Sequence, residues 1–284
     1  MTRYLITGGR GMLGTDLSTV LADRDVTTLG RAELDISNAS AVRAAVEGYD
    51  FVINTAAYTR VDDAEANEAE AAMTNAVGPS NLALATAEAG ALLVHLSTDY
   101  VFDGTATSPY DEDSPTRPAS AYGRTKADGE RRALDANPDG TFIVRTAWLY
   151  GEHGGNFAKT MLALGSARPD VSVVTDQVGQ PTWTMDLARQ IVALMDSDAP
   201  AGIYHGTARG EASWFDFARL VFELGGLDPE NVKPTDAASF VRPAPRPAYS
   251  VLGHDAWAEA GLAPMRDWRD ALRDAFDTGA LRKP

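Results

Sequence analysis

Arg3-Tyr4-Leu5-Ile6-Thr7-Gly8-Gly9-Arg10-Gly11-Met12-Leu13-Gly14 decides how the rest of the chain is read. Its first five residues read as a buried strand. Met12 to Ala22 then carries apolar residues at helical spacing, Leu13, Leu17, Val20 and Leu21. Between them, glycines at 8, 11 and 14 permit a tight turn, close approach of the backbone to a pyrophosphate, and close packing of helix on strand. The helix N-terminus offers free amide donors to the anion. The spacing is Gly-x-x-Gly-x-x-Gly rather than the commoner Gly-x-Gly-x-x-Gly, but strand before and helix after is the context a dinucleotide turn requires. A purely structural turn is the competing reading.

Working outward, Asp25 to Leu29 reads as a second strand that ends at Gly30-Arg31, where an NAD-selective site usually carries an acid for the ribose 2′-hydroxyl. An arginine there accepts a 2′-phosphate, so NADPH is permitted; a solvated loop charge is the alternative. Leu34-Asp35-Ile36 follows, with Asp35 placed for an adenine amino group and Ile36 for the ring. Ser37 or Asn38 caps a helix through Glu47. Phe51 to Thr55 is a third strand running into small residues, Ala56-Ala57 before Tyr58, and a long Ala- and Glu-rich helical region comes next. Leu92 to Leu96 leads to Ser97-Thr98, whose Thr98 hydroxyl faces the crevice as a donor to a substrate carbonyl. Turn residues and three prolines between Gly104 and Pro118 form a surface loop. In Tyr122-Gly123-Arg124-Thr125-Lys126, the i, i+4 spacing puts Tyr122 and Lys126 on one helix face. A cation held there lowers the phenol's proton affinity and makes Tyr122 a usable acid. A solvent-facing helix pair is the bland alternative. Phe142 to Thr146 supplies a further strand.

Alternating strands and helices imply an α/β fold, a doubly wound parallel sheet of Rossmann type with ligands along the strand C-termini. Beyond Gly151 the rhythm breaks. Val171 to Thr175 reads as a short strand, Met185 to Met195 as an amphipathic helix and Gly202 to His205 as a strand, the last two rejoining the first domain. Ser213 to Leu224, Trp257 to Leu262 and Asp267 to Phe276 read as helices, and Arg242-Pro243-Ala244-Pro245-Arg246-Pro247 as a cationic segment without regular structure. The expected domains are residues 1–150 plus about 182–207 for the cofactor, and about 151–181 plus 208–284 as a smaller α/β substrate domain.

Composition limits the classes of function. The 284 residues are 44% hydrophobic and contain no run of about 20 apolar residues, so no membrane span is expected. The start runs into a strand rather than a signal peptide, which points to the cytoplasm. There is no Cys, and the four His are scattered, so neither disulfides nor a zinc motif is expected. A formal net charge of −15 argues against nucleic acid or anionic membrane as partners. A phosphorylated ligand must therefore meet locally placed donors.

Taken together, Gly-x-x-Gly-x-x-Gly, Thr98 and Tyr122-x-x-x-Lys126 resemble the extended short-chain dehydrogenase/reductase superfamily. Further stretches narrow the resemblance. They are Asn54-Thr55-Ala56-Ala57-Tyr58-Thr59-x-Val61-Asp62, Ser97 through Gly104, Arg145-Thr146-Ala147-Trp148-x-Tyr150-Gly151, Asn156-Phe157, Asp176-Gln177-x-Gly179-x-Pro181-Thr182 and Arg246 through Ser250. These are similar to the dTDP-4-dehydrorhamnose reductase family over nearly the whole chain. The departures are Thr98 where many superfamily members carry Ser, which suits this family, and Ala248-Tyr249 where many relatives have other residues.

The resemblance implies NADPH- or NADH-dependent reduction of the C4 ketone of dTDP-4-dehydro-L-rhamnose. Tyr122 would protonate the alkoxide, Thr98 would hydrogen-bond the same oxygen, and Lys126 would tune Tyr122 and reach the nicotinamide ribose. Cofactor contacts are implied for Gly8, Arg10, Gly11, Met12, Leu13, Gly14, Arg31, Asp35, Ile36, Ala56, Ala57 and Tyr58 beside Tyr122 and Lys126. Substrate contacts are implied for Val61, Thr98, Asp99, Tyr100, Trp148, Asn156, Gln177, Arg242 and Arg246, with ordinary core packing as the alternative for Trp148. Some members use magnesium at a dimer contact; no ligands for it are assigned here, and a homodimer stays open. Two rivals stand beside this reading. One is an epimerase or dehydratase acting on another nucleotide sugar with tightly held NAD, to which Asp99 beside Thr98 gives some weight. The other is a non-catalytic dinucleotide-binding regulatory subunit, against which the intact Thr98, Tyr122 and Lys126 argue.

Overall fold

The computed structural model describes residues 2–282. Strands β1 (Arg3–Thr7), β2 (Asp25–Leu29), β3 (Phe51–Asn54), β4 (Leu92–Thr98) and β5 (Thr141–Thr146) lie in one sheet with a sixth strand, Gly202–His205. The spatial order is Gly202–His205, β5, β4, β3, β1, β2, and every neighbouring pair is parallel. From β1 the chain steps to β2 on one side and then crosses to β3 on the other. The connections thus diverge at the C-terminal ends of β1 and β3, and that divergence opens the crevice in which such sheets bind ligands.

Because both faces are covered by helices, the strands are apolar on both sides. Ile6, Ile53, Val94 and Val144 pack under Leu13 and Leu17 of helix α1 (Met12–Val20) and under Leu187 and Ile191 of the helix Thr184–Met195. Leu5, Val52, Leu93 and Ile143 pack under Val42 of helix α2 (Ala39–Val46), Leu82 of Gly78–Ala89 and Ala133 of Ala121–Ala136. A separate core gathers Tyr150, Leu162, Phe217, Phe222 and Trp268 from the later part of the chain. Among the described residues, no helix is long and apolar enough to cross a membrane.

The structure differs from the sequence reading in several elements. The long helical region after β3 is broken into Val61–Ala64, Glu68–Ala72, a π-helical turn Met73–Val77 and Gly78–Ala89. Pro79 lacks an N–H, so the hydrogen-bond ladder has to shift before it. In that turn the carbonyl of Asn75 reaches helix Ala121–Ala136 where a Cβ on Gly129 would stand 2.0 Å from it. The helix expected at Trp257 to Leu262 lies earlier, at Asp255–Glu259, because Gly261 turns left-handed at φ +71° and ends it. Val232–Thr235 pairs in parallel with Val171–Val174, an edge strand that Pro234 conceals in the sequence.

Candidate active site

Gly8 (φ +69°) is held where a side chain has no room: a Cβ there would stand 2.5 Å from the Ala56 amide nitrogen. The loops after β1 and β3 touch at that point. A Cβ on Gly14 would likewise stand 2.6 Å from the Gly9 Cα, so α1 packs directly on the turn. Gly11 caps α1 without a side-chain hydrogen bond, leaving the first amides of the helix to a ligand. A cleft of about 720 Å³ runs from this turn past Arg31, Asp35 and Ile36, along Ala56, Ala57, Tyr58 and Val61, to Thr98, Tyr122, Lys126 and Trp148. The cleft thus gathers the glycine turn and the Tyr-Lys pair, which lie more than a hundred residues apart in sequence. A cradle of glycine backbone that admits no Cβ, ending on unspent amides, fits a dinucleotide diphosphate.

In the part of the cleft bordered by Arg31, Asp35 and Ile36, a carboxylate does stand at the end of β2. Glu33 accepts from the Gly30 amide through Oε2 at 2.5 Å and from Arg10 through Oε1 at 2.8 Å. The sequence reading saw only Arg31 because the acid comes two residues later and folds back onto Gly30. Asp35, expected at the adenine, spends Oδ1 on the amide and hydroxyl of Ser37.

At the reactive end the residues are buried and their proton affinities are strongly displaced. Burial pushes the Tyr122 phenol up to about 12; the Asp99 charge adds to this and the neighbouring Thr98 hydroxyl opposes it. Lys126 is not among the groups that move it. The expected lowering of Tyr122 by Lys126 is therefore corrected. Lys126 is itself 1% exposed, its Nζ donates to the Leu96 carbonyl, and burial pulls it down to about 8. The Thr98 hydroxyl donates to Asp99 Oδ1 at 2.9 Å and accepts from the Tyr100 amide. Tyr100 packs edge-on to Tyr122 with ring centroids 5.6 Å apart.

Burial raises Asp99 to about 6, with the hydroxyls of Ser250 and Thr98 pulling back. A carboxyl raised in the folded state favours folding below its ordinary range near 3.8, and that contribution is lost as pH rises through about 6. Asp99→Asn removes the charge at constant shape. With a shift of roughly two units, of order 3 kcal/mol, the melting temperature at pH 7.5 is expected to rise by about 5 °C. The gain should shrink toward pH 4. Scanning calorimetry at the two pH values checks it; a lower melting temperature at pH 7.5 would show that the Asp99 charge is stabilising.

Trp148 forms the opposite wall in a left-handed backbone, φ +48°, unusual for so bulky a residue. Its ring stacks on Trp214 at 3.5 Å and covers Gly179, where a Cβ would meet the indole at 2.6 Å. Trp214 was missed in the sequence because it opens an amphipathic helix and no local spacing links it to Trp148. Ser97 Oγ and Thr146 Oγ1 are buried along the same cleft without hydrogen-bond partners among the described residues. Such groups are expected to be satisfied by a ligand. Thr146 is opposite Thr98 in the β4–β5 register, a relation that only the sheet reveals.

Asn156, Gln177, Arg242 and Arg246 are not among the described residues of the cleft wall. Asn156, expected at the nucleotide, instead caps the helix Phe157–Ala167 by accepting from Lys159 N, and it donates to the Gly151 carbonyl. Arg246 and Arg242 both reach Asp62 Oδ2, at 2.9 and 3.4 Å, next to Val61. Magnesium has no place assigned: among the described residues no three His, Asp or Glu side chains are grouped to hold a metal ion.

Comparison with known proteins agrees with this arrangement. The family profile described as the RmlD substrate binding domain matches residues 2–280. A probable dTDP-4,6-dihydroxy-2-methyloxan-3-one 4-ketoreductase of Streptomyces antibioticus is 54% identical, covering 96% of this chain and 94% of its own. A dTDP-4-keto-6-deoxy-D-glucose reductase of Streptomyces niveus is 50% identical, covering 96% of each chain. The crystal structure of dTDP-4-dehydrorhamnose reductase from Bacillus anthracis in complex with NADP superimposes with a TM-score of 0.94 at 38% identity, covering 98% of this chain and 100% of the other. With a profile match over nearly its full length and relatives this similar, the chain belongs to the dTDP-4-dehydrorhamnose reductase family, oxidoreductases of the extended short-chain dehydrogenase/reductase superfamily.

Proposed function

We propose that this enzyme uses NADPH or NADH to reduce the C4 ketone of dTDP-4-dehydro-L-rhamnose to dTDP-L-rhamnose, with Tyr122 as proton donor. The observation that carries this is the single cleft joining the Gly8 turn to the Tyr122 phenol and the Trp148 wall. The bound nicotinamide supplies the hydride. The chain supplies the rest: the α1 amides hold the diphosphate, and Tyr122 gives its phenolic proton to the developing alkoxide. A phenol buried and raised to about 12 is fully protonated at neutral pH and is a strong enough acid for an alkoxide. Lys126 reaches the nicotinamide ribose. Residues 1–150 with about 182–207 form the cofactor part in this reading, and about 151–181 with 208–284 the sugar-nucleotide part. Gly202–His205 pairing with β5 supports that division.

Two of the similar proteins are named for other dTDP-linked ketosugars, which favours a second reading: 4-ketoreduction of a related dTDP-6-deoxyhexose. The deciding experiment follows NADPH consumption with dTDP-4-dehydro-L-rhamnose, with dTDP-4-keto-6-deoxy-D-glucose and with a UDP-linked ketosugar. Turnover of the UDP compound alone would overturn the nucleotide assignment. Protein purified with NAD tightly bound, and inert toward NADPH, would favour the epimerase or dehydratase reading.

Arg31 borders the cleft at the adenosine end and meets the 2′-phosphate in this proposal. Arg31→Ala is then expected to weaken NADPH several-fold more than NADH in a fluorescence titration. Equal changes for the two cofactors would make Arg31 a bystander.

A further inference from the structure

A row of polar side chains crosses the otherwise apolar sheet. Thr7 of β1, Asn54 of β3 and His95 of β4 are direct neighbours in register, and all three are essentially fully buried. They share the face covered by helix Ala121–Ala136, and the row ends on Lys126. The Asn54 amide has its orientation fixed, because Oδ1 accepts from the Ala56 backbone N–H at 3.1 Å and from the Thr7 hydroxyl at 2.8 Å. Its NH₂ group therefore donates to His95 Nδ1, 2.9 Å away. An imidazole that accepts at Nδ1 and stays neutral must carry its proton on Nε2. That nitrogen lies 3.4 Å from Lys126 Nζ.

We propose that His95 is a positioning residue for Lys126: locked by Asn54 with its proton on Nε2, it donates to the lysine amine and ties the catalytic helix to the Ala56 loop beside the dinucleotide turn. The hydrogen bonds then run in one direction, from Ala56 N–H to Asn54, from Asn54 to His95, from His95 to Lys126 and from Lys126 to the Leu96 carbonyl. Chains aligned in this way strengthen one another. An N–H aimed at Nζ favours the amine over the ammonium, acting in the same direction as the burial that brings Lys126 to about 8. Burial and the Lys126 charge hold His95 neutral. The other charged groups around Lys126 do not produce this effect. Glu130, one turn along the same helix, favours the ammonium and is itself paired with Arg145 of β5 at 2.8 Å. Tyr122 and Asp99 lie toward the cleft. Glu65 meets the Ala121 amide, and Glu68 meets Arg124 at the exposed side of the helix.

The inference rests on Lys126 serving the proposed reaction, but its test does not need the substrate. The chain has four lysines, Lys126, Lys159, Lys233 and Lys283, so competitive acylation across pH with mass-spectrometric readout resolves each one. In the parent protein the Lys126 midpoint is expected near 8. His95→Gln can turn a carbonyl toward Nζ, and Asn54→Asp, nearly isosteric, forces the His95 proton onto Nδ1. In each, the Lys126 midpoint is expected to rise by at least one unit, a drop of about fivefold or more in labelling at pH 8, while the labelling of Lys159 and Lys233 is unchanged. The basic limb of NADPH binding should move up with it. A parent midpoint at the ordinary lysine value of about 10.4, or an unmoved Lys126 midpoint in a variant that keeps its melting temperature, would overturn the role of His95. Failure of the parent to reduce any dTDP-ketosugar would overturn the proposed reaction alone.

Discussion

Tyr122→Phe is expected to lower kcat by roughly 10²- to 10⁴-fold, the usual range for loss of one positioned acid, while leaving the dissociation constant for NADPH within about twofold. The two effects separate because the phenol is the part of Tyr122 that acts, whereas the ring is the part that packs. Tyr122 is 9% exposed and its ring sits edge-on to Tyr100, contacts that Phe keeps. The hydroxyl gains little from the protein: burial and the Asp99 charge hold it protonated, and Thr98 spends its own proton on Asp99. No neighbouring donor is therefore placed to take over when it is removed. Single-turnover reduction with saturating NADPH reads the chemical step directly. Near-normal turnover in the variant would remove Tyr122 from the mechanism. A comparable loss in both kcat and cofactor affinity would show that it acts through packing.

Arg246→Ala is expected to raise KM for the dTDP-sugar about tenfold to a hundredfold, with kcat and cofactor affinity little changed. In a chain of net charge −15, a nucleotide diphosphate has to be met by fixed donors, and a guanidinium supplies a bidentate one. The structure now separates two arginines that the sequence left equivalent. The side chain of Arg246 is 19% exposed, donates to Ala244 O and Asp62, and lies over the Tyr100 ring; that of Arg242 is 57% exposed and reaches Asp62 at 3.4 Å. Loss of a buried charge-assisted contact costs ~1.5 to 3 kcal/mol, which corresponds to that range in affinity. An exposed one contributes far less, so Arg242→Ala should change KM by less than about fivefold. Asp62 holds Arg246 at 2.9 Å, and in the proposed reading a diphosphate would compete with it for the guanidinium, so Asp62→Asn separates the two effects. Steady-state kinetics on the three variants checks this. Equal effects of the two alanine variants would place the diphosphate at the loop surface.

What the sequence determines by itself is set by short-range chemistry. A strand running into three spaced glycines and a helix dictates a parallel α/β sheet and its anion-binding turn, since Gly8 has a backbone angle and a neighbour that leave no room for a Cβ. The i, i+4 spacing of Tyr122 and Lys126 places them on one helix face wherever that helix lies. Local signals also carry the caps: Asn38 opens α2, and Ser213 with Asp216 forms a capping box. What only the tertiary structure decides is which groups face one another across strands and loops. Glu33 folding back onto Gly30, Thr98 turning its proton to Asp99, Trp214 stacking on Trp148 and Asn54 orienting His95 toward Lys126 all depend on sheet register or on loops meeting. Burial belongs to the same level. The sequence reading makes Tyr122 an acid lowered by Lys126, whereas packing removes water from both groups, raises the phenol and lowers the lysine, because desolvation inside the fold penalises the charged form of each.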